Sequence, residues 1–249
     1  MQAFIRSVRH DILKLSYVAK ASHIPSALSM AHYLSVFISI FWDKKHKVVL
    51  GKSYGSQAYY SILSRHQGMQ PNYEAYATDD LHWKYGIGRE HAWVDFADDT
   101  MGSALSIACG MALASEDRVW VNISDASLQM GSIWEAIMFA GSSKLSSILL
   151  TVDANDMQIL GATSDIVAIE PLREKFESFG WQVFFSPGHD IKAIYDVLHQ
   201  VYQGKKDAPC VIIFETIKGY GIPFMENNLA WHYQTLSEQD YQQAIEVYA

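Results

Sequence analysis

The sequence predicts an α/β fold in which helices flank a parallel β-sheet. Short apolar segments alternate with helical segments of ten or more residues, which is the pattern of strands joined by crossover helices. The chain has 249 residues, 49% of them hydrophobic, so it is long enough for one large core. No repeat, low-complexity tract or linker rich in Pro and Ser divides it. We therefore expect residues 1–249 to form a single domain.

The elements follow from hydrophobic periodicity and turn residues. Helical periodicity covers residues 3–20 and 26–42, and the apolar segment 48–50 leads into a helix from about residue 56. Residues 66–100 show little period, so we expect a long structured excursion, a kind of segment that is more often functional than idle. The later predicted elements are helix 101–115, strand 119–123, helix 128–143, strand 147–153, helix 171–179, strand 182–185, helix 190–203, strand 210–215 and a helix from about 237.

Composition excludes several classes of function. The formal charge of −8 and a pI near 5.6 argue against nucleic acid as the main partner, because phosphate binding needs a basic face. Cys109 and Cys210 each lie in an apolar stretch, which favours buried structural thiols over a redox role. The N-terminus shows no secretory signal, and the longest apolar run, 33–42, is shorter than the roughly 20 residues that span a bilayer. We expect a cytoplasmic protein without membrane partners.

Polar groups follow two predicted strands at their carboxyl ends. Asp125 ends the apolar segment 119–123, and Asn155 follows the strand at 147–153. Ligands of open α/β sheets bind beyond the carboxyl ends of the strands, so these oxygens can meet if the two strands are neighbours. Both suit Mg²⁺ or Ca²⁺, and a helix N-terminus after Ala126 would favour an anion beside them, which together suggest a diphosphate. The residue types alone fit a helix N-cap at Asp125 equally well.

The spacing and the surrounding text resemble a known family. Asp125 and Asn155 are separated like the Asp and Asn of the thiamine diphosphate motif, in which Gly-Asp-Gly is followed about thirty residues later by Asn. The segment "LQMGSIWEAIMFAGSSKLSSILLTVDANDMQILG" is similar to the diphosphate-binding half of transketolase, as are "SHIPSALS", "MGSALSIACGMALA", "EPLREKFESFGW" and "TIKGYGIPFMENNLAWH". The similarity extends from about His23 to the C-terminus and is thinner over 43–100.

This resemblance implies a set of cofactor-binding residues. Asp125 and Asn155, with the backbone carbonyl of Met157, would coordinate Mg²⁺ or Ca²⁺. The Ala126 amide would face a phosphate oxygen, and Ile159 would lie under thiamine diphosphate.

The resemblance also implies roles around the reaction. Glu135 matches an acid that the family places near the interface between its two active sites, and His23 and His232 match histidines that line the substrate channel and cofactor. Each histidine could instead be a hydrogen-bonded structural residue.

The chain departs from the family at several of these positions. Ser124-Asp125-Ala126 replaces Gly-Asp-Gly, and Asp156 stands in place of a glycine, where aspartate tolerates a left-handed backbone. Tyr54 and Tyr85 stand where the family has two further histidines, and Met130 replaces a second interface glutamate. Asp99-Thr100-Met101-Gly102-Ser103-Ala104 replaces the family's Gly-x-Leu-Gly-Gln-Gly loop, which lies against the cofactor. The metal ligands are retained while much of the lining has changed.

The family's cofactor lies between two domains, and the sequence corresponds to only the first. The resemblance therefore implies a partner, a C-terminal pyrimidine-binding subunit, and a heterotetramer with two copies of each chain. The implied function is that of a two-component transketolase-like enzyme that transfers a two-carbon ketol or related acyl unit to an aldehyde or ketone acceptor, with a specialised sugar or keto substrate. Two alternatives stay open: a 2-oxo acid decarboxylase or acyl transferase subunit on the same scaffold, and a non-catalytic chain that supports a partner.

Overall fold

A computed structural model describes residues 1–43, 45–78, 93–98 and 100–247. The strands within these ranges are β1 (Lys47–Leu50), β2 (Phe96–Ala97), β3 (Val119–Ser124), β4 (Ile148–Ala154), β5 (Gln182–Pro187) and β6 (Cys210–Glu215). They form one parallel sheet in the order β2-β1-β3-β4-β6-β5. The predicted fold class, a parallel sheet flanked by helices, is confirmed.

Within the same described ranges, helices precede, separate and follow the strands along the chain. They are α1 (Gln2–Ala19), α2 (Ile24–Val36), α3 (Ser56–His66), α4 (Tyr73–Thr78), α5 (Ala104–Ala114), α6 (Gly131–Ser142), α7 (Thr163–Ile166), α8 (Leu172–Ser178), α9 (Ile191–Gln203) and α10 (Glu238–Glu246). A wider turn, Phe37–Phe41, continues α2, and the tighter 3-10 turns Asp125–Gln129 and Leu229–His232 follow β3 and precede α10.

Two hydrophobic cores cover the two faces of the sheet. Alternate residues of a strand point to opposite faces, so Val119, Val121 and Ile123 of β3 pack with α5, α6 and α8, whereas Trp120 packs with α1, α2 and α3. Both faces are therefore apolar, which is why the strands read as nearly continuous hydrophobic runs in the sequence.

Two predicted helices begin later than the sequence indicates. The helix predicted for 128–143 begins at Gly131, because Asp125–Gln129 forms a separate turn and Met130 is extended (φ −90°, ψ 123°). The helix predicted for 101–115 begins at Ala104, because Met101 (φ 63°) and Gly102 (φ 99°) adopt left-handed backbone conformations. The expected helix N-terminus after Ala126 is thus a short 3-10 turn, and Ser124, not Asp125, is its N-cap.

Other elements were not predicted. The helical periodicity over 26–42 does not reveal that the α-helix becomes a π-helical turn at Phe37–Phe41, because the residues of both parts are mostly apolar. Within the excursion predicted for 66–100, the described residues include α4 and the two-residue strand β2. Two further short elements, α7 and the turn Leu229–His232, lie later in the chain. Each is too short to give a hydrophobic period.

One segment passes a simple membrane-span criterion. Ile24–Phe41 is 18 residues long with a mean hydropathy of 1.5, and 83% of it is buried inside the protein. This apolar segment is longer than the run 33–42 identified from the sequence. Its burial between α1, α3 and the sheet makes it a core helix.

Both cysteines are free and buried. Burial raises the pKa of the Cys109 and Cys210 thiols to about 11, so neither forms a reactive thiolate near neutral pH. The prediction of structural thiols agrees with this environment.

Candidate functional site

The site lies where β3 and β4 end. The two strands are neighbours, with Ser124 paired to Asp153, so the loops that follow them lie side by side. The Asp125 carboxylate accepts hydrogen bonds from the backbone amides of Asn155 (3.1 Å), Asp156 (2.6 Å) and Ala126 (2.8 Å). Asp125 therefore ties the β3 loop to the β4 loop, as the sequence predicts if these strands are adjacent.

The Asp125 carboxylate is buried beside another carboxylate. Burial, followed by the nearby Asp153 carboxylate, raises the pKa of Asp125 to about 6. Only 3% of the residue is exposed. A bound cation would offset both effects, because an adjacent positive charge favours the ionised carboxylate.

The β4 loop supplies two further oxygens next to Asp125. The Asn155 side-chain oxygen accepts a hydrogen bond from the Met157 amide at 3.1 Å, and the Met157 carbonyl faces Lys218 at 3.2 Å. Asp156 has a φ of 52°, the left-handed conformation for which aspartate was expected to be suitable. Asp125, Asn155 and Met157 line one cleft, and a carboxylate, an amide oxygen and a carbonyl are the type of donor set that Mg²⁺ and Ca²⁺ prefer.

A cleft of about 310 Å³ opens beside these oxygens. Most of the predicted site residues line it, namely His23, Tyr54, Met101, Ala126, Asn155, Met157, Ile159 and His232. Residues from six separate parts of the chain therefore come together only in the fold. Asp125 does not line this cleft but, together with Asn155 and Met157, lines an adjoining cleft of about 870 Å³.

Two lysines in the cleft were not predicted from the sequence. Lys52, after β1, pairs with Asp153 of β4, and Lys218, after β6, contacts both the Met157 carbonyl and His232. Both are nearly fully buried. Burial and then the charge of Lys52 lower the pKa of Lys218 to about 8, so Lys218 is still mostly protonated near neutral pH. Their ammonium groups supply the positive charge that an anion beside the oxygen cluster requires.

The two predicted histidines meet in the cleft. Their ring centroids are 5.1 Å apart, and the His23 amide donates to the His232 carbonyl at 3.3 Å. The Lys218 ammonium can only donate, so Nδ1 of His232 accepts at 2.9 Å and the ring proton lies on Nε2. Burial and then Lys218 lower the pKa of His23 to about 4 and of His232 to about 3. Both rings are therefore neutral at physiological pH.

Aromatic rings surround His23 at the mouth of the cleft. Tyr54 stacks at 5.2 Å, and Tyr233, which is 57% exposed, lies edge-on at 5.0 Å. Tyr233 was not predicted, although it follows His232 directly. The mouth of the cleft thus presents aromatic rings that can form hydrogen bonds and the exposed apolar side chain of Ile159.

Some predicted residues lie elsewhere. Glu135 is exposed on the outer face of α6 and does not line the cleft. The Ala126 amide donates to Asp125 instead of facing the cleft, although Ala126 itself lines it. Met130 lines the cleft rim, whereas Tyr85 and Asp99 lie outside the described residues.

Acid sensitivity should arise from a histidine behind the site. His32 is buried, its Nδ1 has no hydrogen-bond partner within the described part of the chain, and the rings of His189 and Tyr220 are each 5.3 Å away. Burial, then Arg9 and His189, lowers the pKa of His32 to about 3. Below pH 6.5, His32 binds a proton in the unfolded chain but stays neutral in the folded protein. The free energy of unfolding therefore decreases as the pH is lowered from 6.5 to the folded-state pKa.

We expect this histidine alone to cost about 2 kcal/mol of stability between pH 7 and pH 5. Denaturant unfolding of wild type and His32→Gln at both pH values measures it, and the variant should lose less stability on acidification. The matched control is His199→Gln on the exposed face of α9. Equal pH slopes for wild type and His32→Gln would contradict the prediction.

The site's chemistry suits one class of ligand. Three oxygen donors can hold a divalent cation, and two buried ammonium groups on the same cleft can face an anion. An anion bridged to protein through a divalent cation is typical of a bound diphosphate.

A comparison with protein-family models agrees with this geometry. Residues 98–249 match the family described as transketolase, thiamine diphosphate binding domain. The matched part contains Asp125, Asn155, Met157, Lys218 and His232.

Curated relatives extend the similarity over nearly the whole chain. A transketolase family protein of Sinorhizobium fredii is 30% identical, with 97% of this chain and 92% of that protein covered. The 6-deoxy-6-sulfo-D-fructose transketolase subunit of a Clostridium species is 32% identical over 82% of this chain and 76% of that protein. One of the subunits of the apulose-4-phosphate transketolase of Actinobacillus succinogenes is 30% identical, with 80% and 74% covered.

Solved structures share the fold. The transketolase of Leishmania mexicana superposes with a TM-score of 0.87 at 17% identity, covering 99% of this chain and 41% of that one. The Campylobacter jejuni transketolase gives 0.84 at 23% identity, covering 99% and 42%. The chain thus spans about two fifths of the length of these transketolases. Fold, site and family match together define a thiamine diphosphate-binding α/β domain. The chain belongs to the transketolase family.

Proposed function

We propose that this chain is the diphosphate-binding subunit of a two-component transketolase that moves a two-carbon ketol unit to an aldehyde or ketone acceptor. The observation that carries the proposal is that Asn155 and Met157, on the loop that Asp125 ties to the end of β3, line one cleft with the buried Lys52 and Lys218. The relatives named as subunits of the sulfofructose and apulose-4-phosphate transketolases support it.

The residues fit Mg²⁺ and thiamine diphosphate. Asp125, Asn155 and the Met157 carbonyl would hold the metal, and the Lys218 ammonium, which contacts that carbonyl, would provide positive charge for the diphosphate. Ala126 and Ile159 would line the cofactor, and Tyr54 and Met101 would bound its other side. When bound, thiamine diphosphate supplies the nucleophilic carbon that accepts and releases the ketol unit.

The chain's own side chains would orient the substrate and hold its protons. His23 and His232 are neutral and adjacent, so each can offer a hydrogen bond to a substrate hydroxyl or carbonyl. Lys218 fixes the tautomer of His232, which leaves Nε2–H free for a substrate oxygen. The apolar rim around them limits the access of water.

Exposed apolar surface supports the proposed assembly with a C-terminal, pyrimidine-binding subunit in a heterotetramer. On α5 and α6 the side chains of Ile107, Leu113, Met138 and Phe139 are exposed, beside Glu135. Large apolar patches of this kind mark protein interfaces. We place Glu135 at this interface, where the family carries an acid, and the complex in the cytoplasm.

The experiment that tests the proposed function is co-purification of the chain with its partner subunit. We expect ketol transfer that requires both thiamine diphosphate and Mg²⁺, followed as product formation by chromatography. Turnover of a 2-oxo acid donor instead would indicate decarboxylative acyl transfer. A complex that binds no cofactor would indicate a supporting chain.

Substrate choice should differ from that of pentose-phosphate transketolases. Tyr54 stands against His23 in place of a histidine and is bulkier and uncharged, and Met130 adds an apolar rim. We expect xylulose 5-phosphate and ribose 5-phosphate to be poorer than the preferred pair by about tenfold or more in kcat/KM, which is the size of discrimination that small changes in pocket shape produce. A donor and acceptor panel measures it.

The matched variants for the panel are Tyr54→His, which restores the family's residue, and Tyr54→Phe, which removes only the hydroxyl. Tyr54→His should move the preference toward the reference pair, and Tyr54→Phe should not. If wild type prefers the reference pair by a wide margin, the specialised-substrate proposal is wrong.

A further inference from the structure

We infer that Asp153 is a positioning residue of the cofactor site, which fixes the Asn155 amide so that its oxygen faces the metal position. The inference rests on the proposed function. Asp153 is the sixth residue of β4, fully buried, and two positions before Asn155. Its carboxylate does not line the cleft, so it acts through other residues.

Four donors converge on this carboxylate. Oδ2 accepts from the Lys52 ammonium, from the Ser29 hydroxyl at 2.7 Å and from the Asn155 side-chain nitrogen at 3.0 Å. Oδ1 accepts from the Thr216 hydroxyl at 2.5 Å. Donors from α2 and from the loops after β1, β4 and β6 thus hold the carboxylate in a single orientation.

The bond to Asn155 decides which end of its amide faces the cleft. A carboxylate only accepts hydrogen bonds, so the NH₂ group must point toward Asp153 and the oxygen must point away from it. The oxygen accepts a hydrogen bond from the Met157 amide at 3.1 Å, on the loop whose backbone amides bind Asp125. A reversed amide would present NH₂ to the metal, and NH₂ cannot coordinate a cation.

The same carboxylate also holds Lys52. Its ammonium is buried and contacts Asp153 and Ser29, at 3.4 Å for the latter. Asp153 therefore sets the position of one metal ligand and one cation for the diphosphate at the same time. Outer groups that orient a metal ligand typically contribute about 10–100-fold in metal affinity.

Two substitutions separate orientation from charge. Asp153→Asn keeps an acceptor for Lys52, Ser29 and Asn155 if its NH₂ faces Thr216, whose hydroxyl can accept instead of donate. Asp153→Leu has a similar size but removes every acceptor, so the Asn155 amide is free to turn.

The experiment is thermal melting of the complex with its partner at saturating thiamine diphosphate, titrated with Mg²⁺. The Mg²⁺ concentration for half of the thermal gain should rise about 10–100-fold in Asp153→Leu and much less in Asp153→Asn. The melting temperature without cofactor reports any general loss of stability.

Asp11 offers a matched control. It is also fully buried and accepts from Arg65, Ser61 (2.7 Å) and Tyr73 (2.7 Å), and neither Asp11 nor these partners line the cleft. Asp11→Leu should lower the melting temperature yet leave the Mg²⁺ dependence unchanged. An equal Mg²⁺ shift in Asp11→Leu, or none in a folded Asp153→Leu, overturns the inference.

If Asp153→Leu does not fold, the double variant Ser29→Ala/Thr216→Val is used to test the inference instead. This pair removes two anchors of the carboxylate without touching Asn155, so a higher Mg²⁺ requirement supports the inference and an unchanged one overturns it. A wild-type complex with no Mg²⁺-dependent gain overturns the proposed function itself, a result distinct from any difference among these variants.

Discussion

Asp125→Ala is expected to abolish Mg²⁺-dependent binding of thiamine diphosphate. Asp125 is the only carboxylate among the three proposed ligand groups, and its pKa is raised because it is buried beside Asp153. Cofactor at a hundredfold excess over its dissociation constant stabilises the wild-type fold by about 2.7 kcal/mol, and the variant should gain nothing. Thermal melting of the complex with and without cofactor and Mg²⁺ measures this gain.

Related variants separate the metal role from the loop-tying role. Alanine leaves the Asn155 and Asp156 amides without their acceptor, at a cost of about 1–3 kcal/mol each, so Asp125→Asn, which keeps an acceptor, is the second variant. Asn155→Ala should weaken binding strongly. The control is Asp156→Asn, an exposed neighbour that bonds Ser164. If wild type and both Asp125 variants gain equally, Asp125 only ties the loops together.

The isolated chain is expected to show no turnover, and the complex with a pyrimidine-binding subunit is expected to be active. The cleft holds oxygens, ammonium groups and neutral imidazoles for the diphosphate and substrate. On our proposal the partner supplies the glutamate that activates the aminopyrimidine. Activity assays and sedimentation of the separate and mixed subunits test both points.

A lysine in place of Leu113, which is 62% exposed on α5, should weaken assembly without unfolding the chain. The control is a lysine in place of Tyr195, an exposed residue of α9 on the opposite side of the sheet. Turnover by the isolated chain at the rate of the complex would disprove the need for a partner.

The sequence predicts the strands after β2 closely because buried parallel strands are continuous apolar runs. Strand 210–215 matches β6, and 119–123 differs from β3 by one residue. Helix starts are less accurate, since Met101 and Met130 give no sign that their backbones are non-helical. The sequence also does not give the strand order, in which β6 lies between β4 and β5, because pairing between distant segments leaves no local period.

For the site, the residues at the ends of β3 and β4 can be predicted from the sequence, because a polar residue directly after an apolar strand and the spacing between two such residues are both local features. Asp125 and Asn155 could be named, and so could His23 and His232 by resemblance. The residues that these side chains contact become known only from the folded structure. Lys52 and Lys218 read as ordinary loop lysines until the fold buries them beside Asp153 and Met157. Asp153 reads as one more residue of β4, although it accepts hydrogen bonds from four segments. Glu135 reads like the other family residues, but α6 turns it outward. Burial, charge pairing and side-chain direction depend on contacts between segments that are distant in the chain, so they exist only once the sheet has formed.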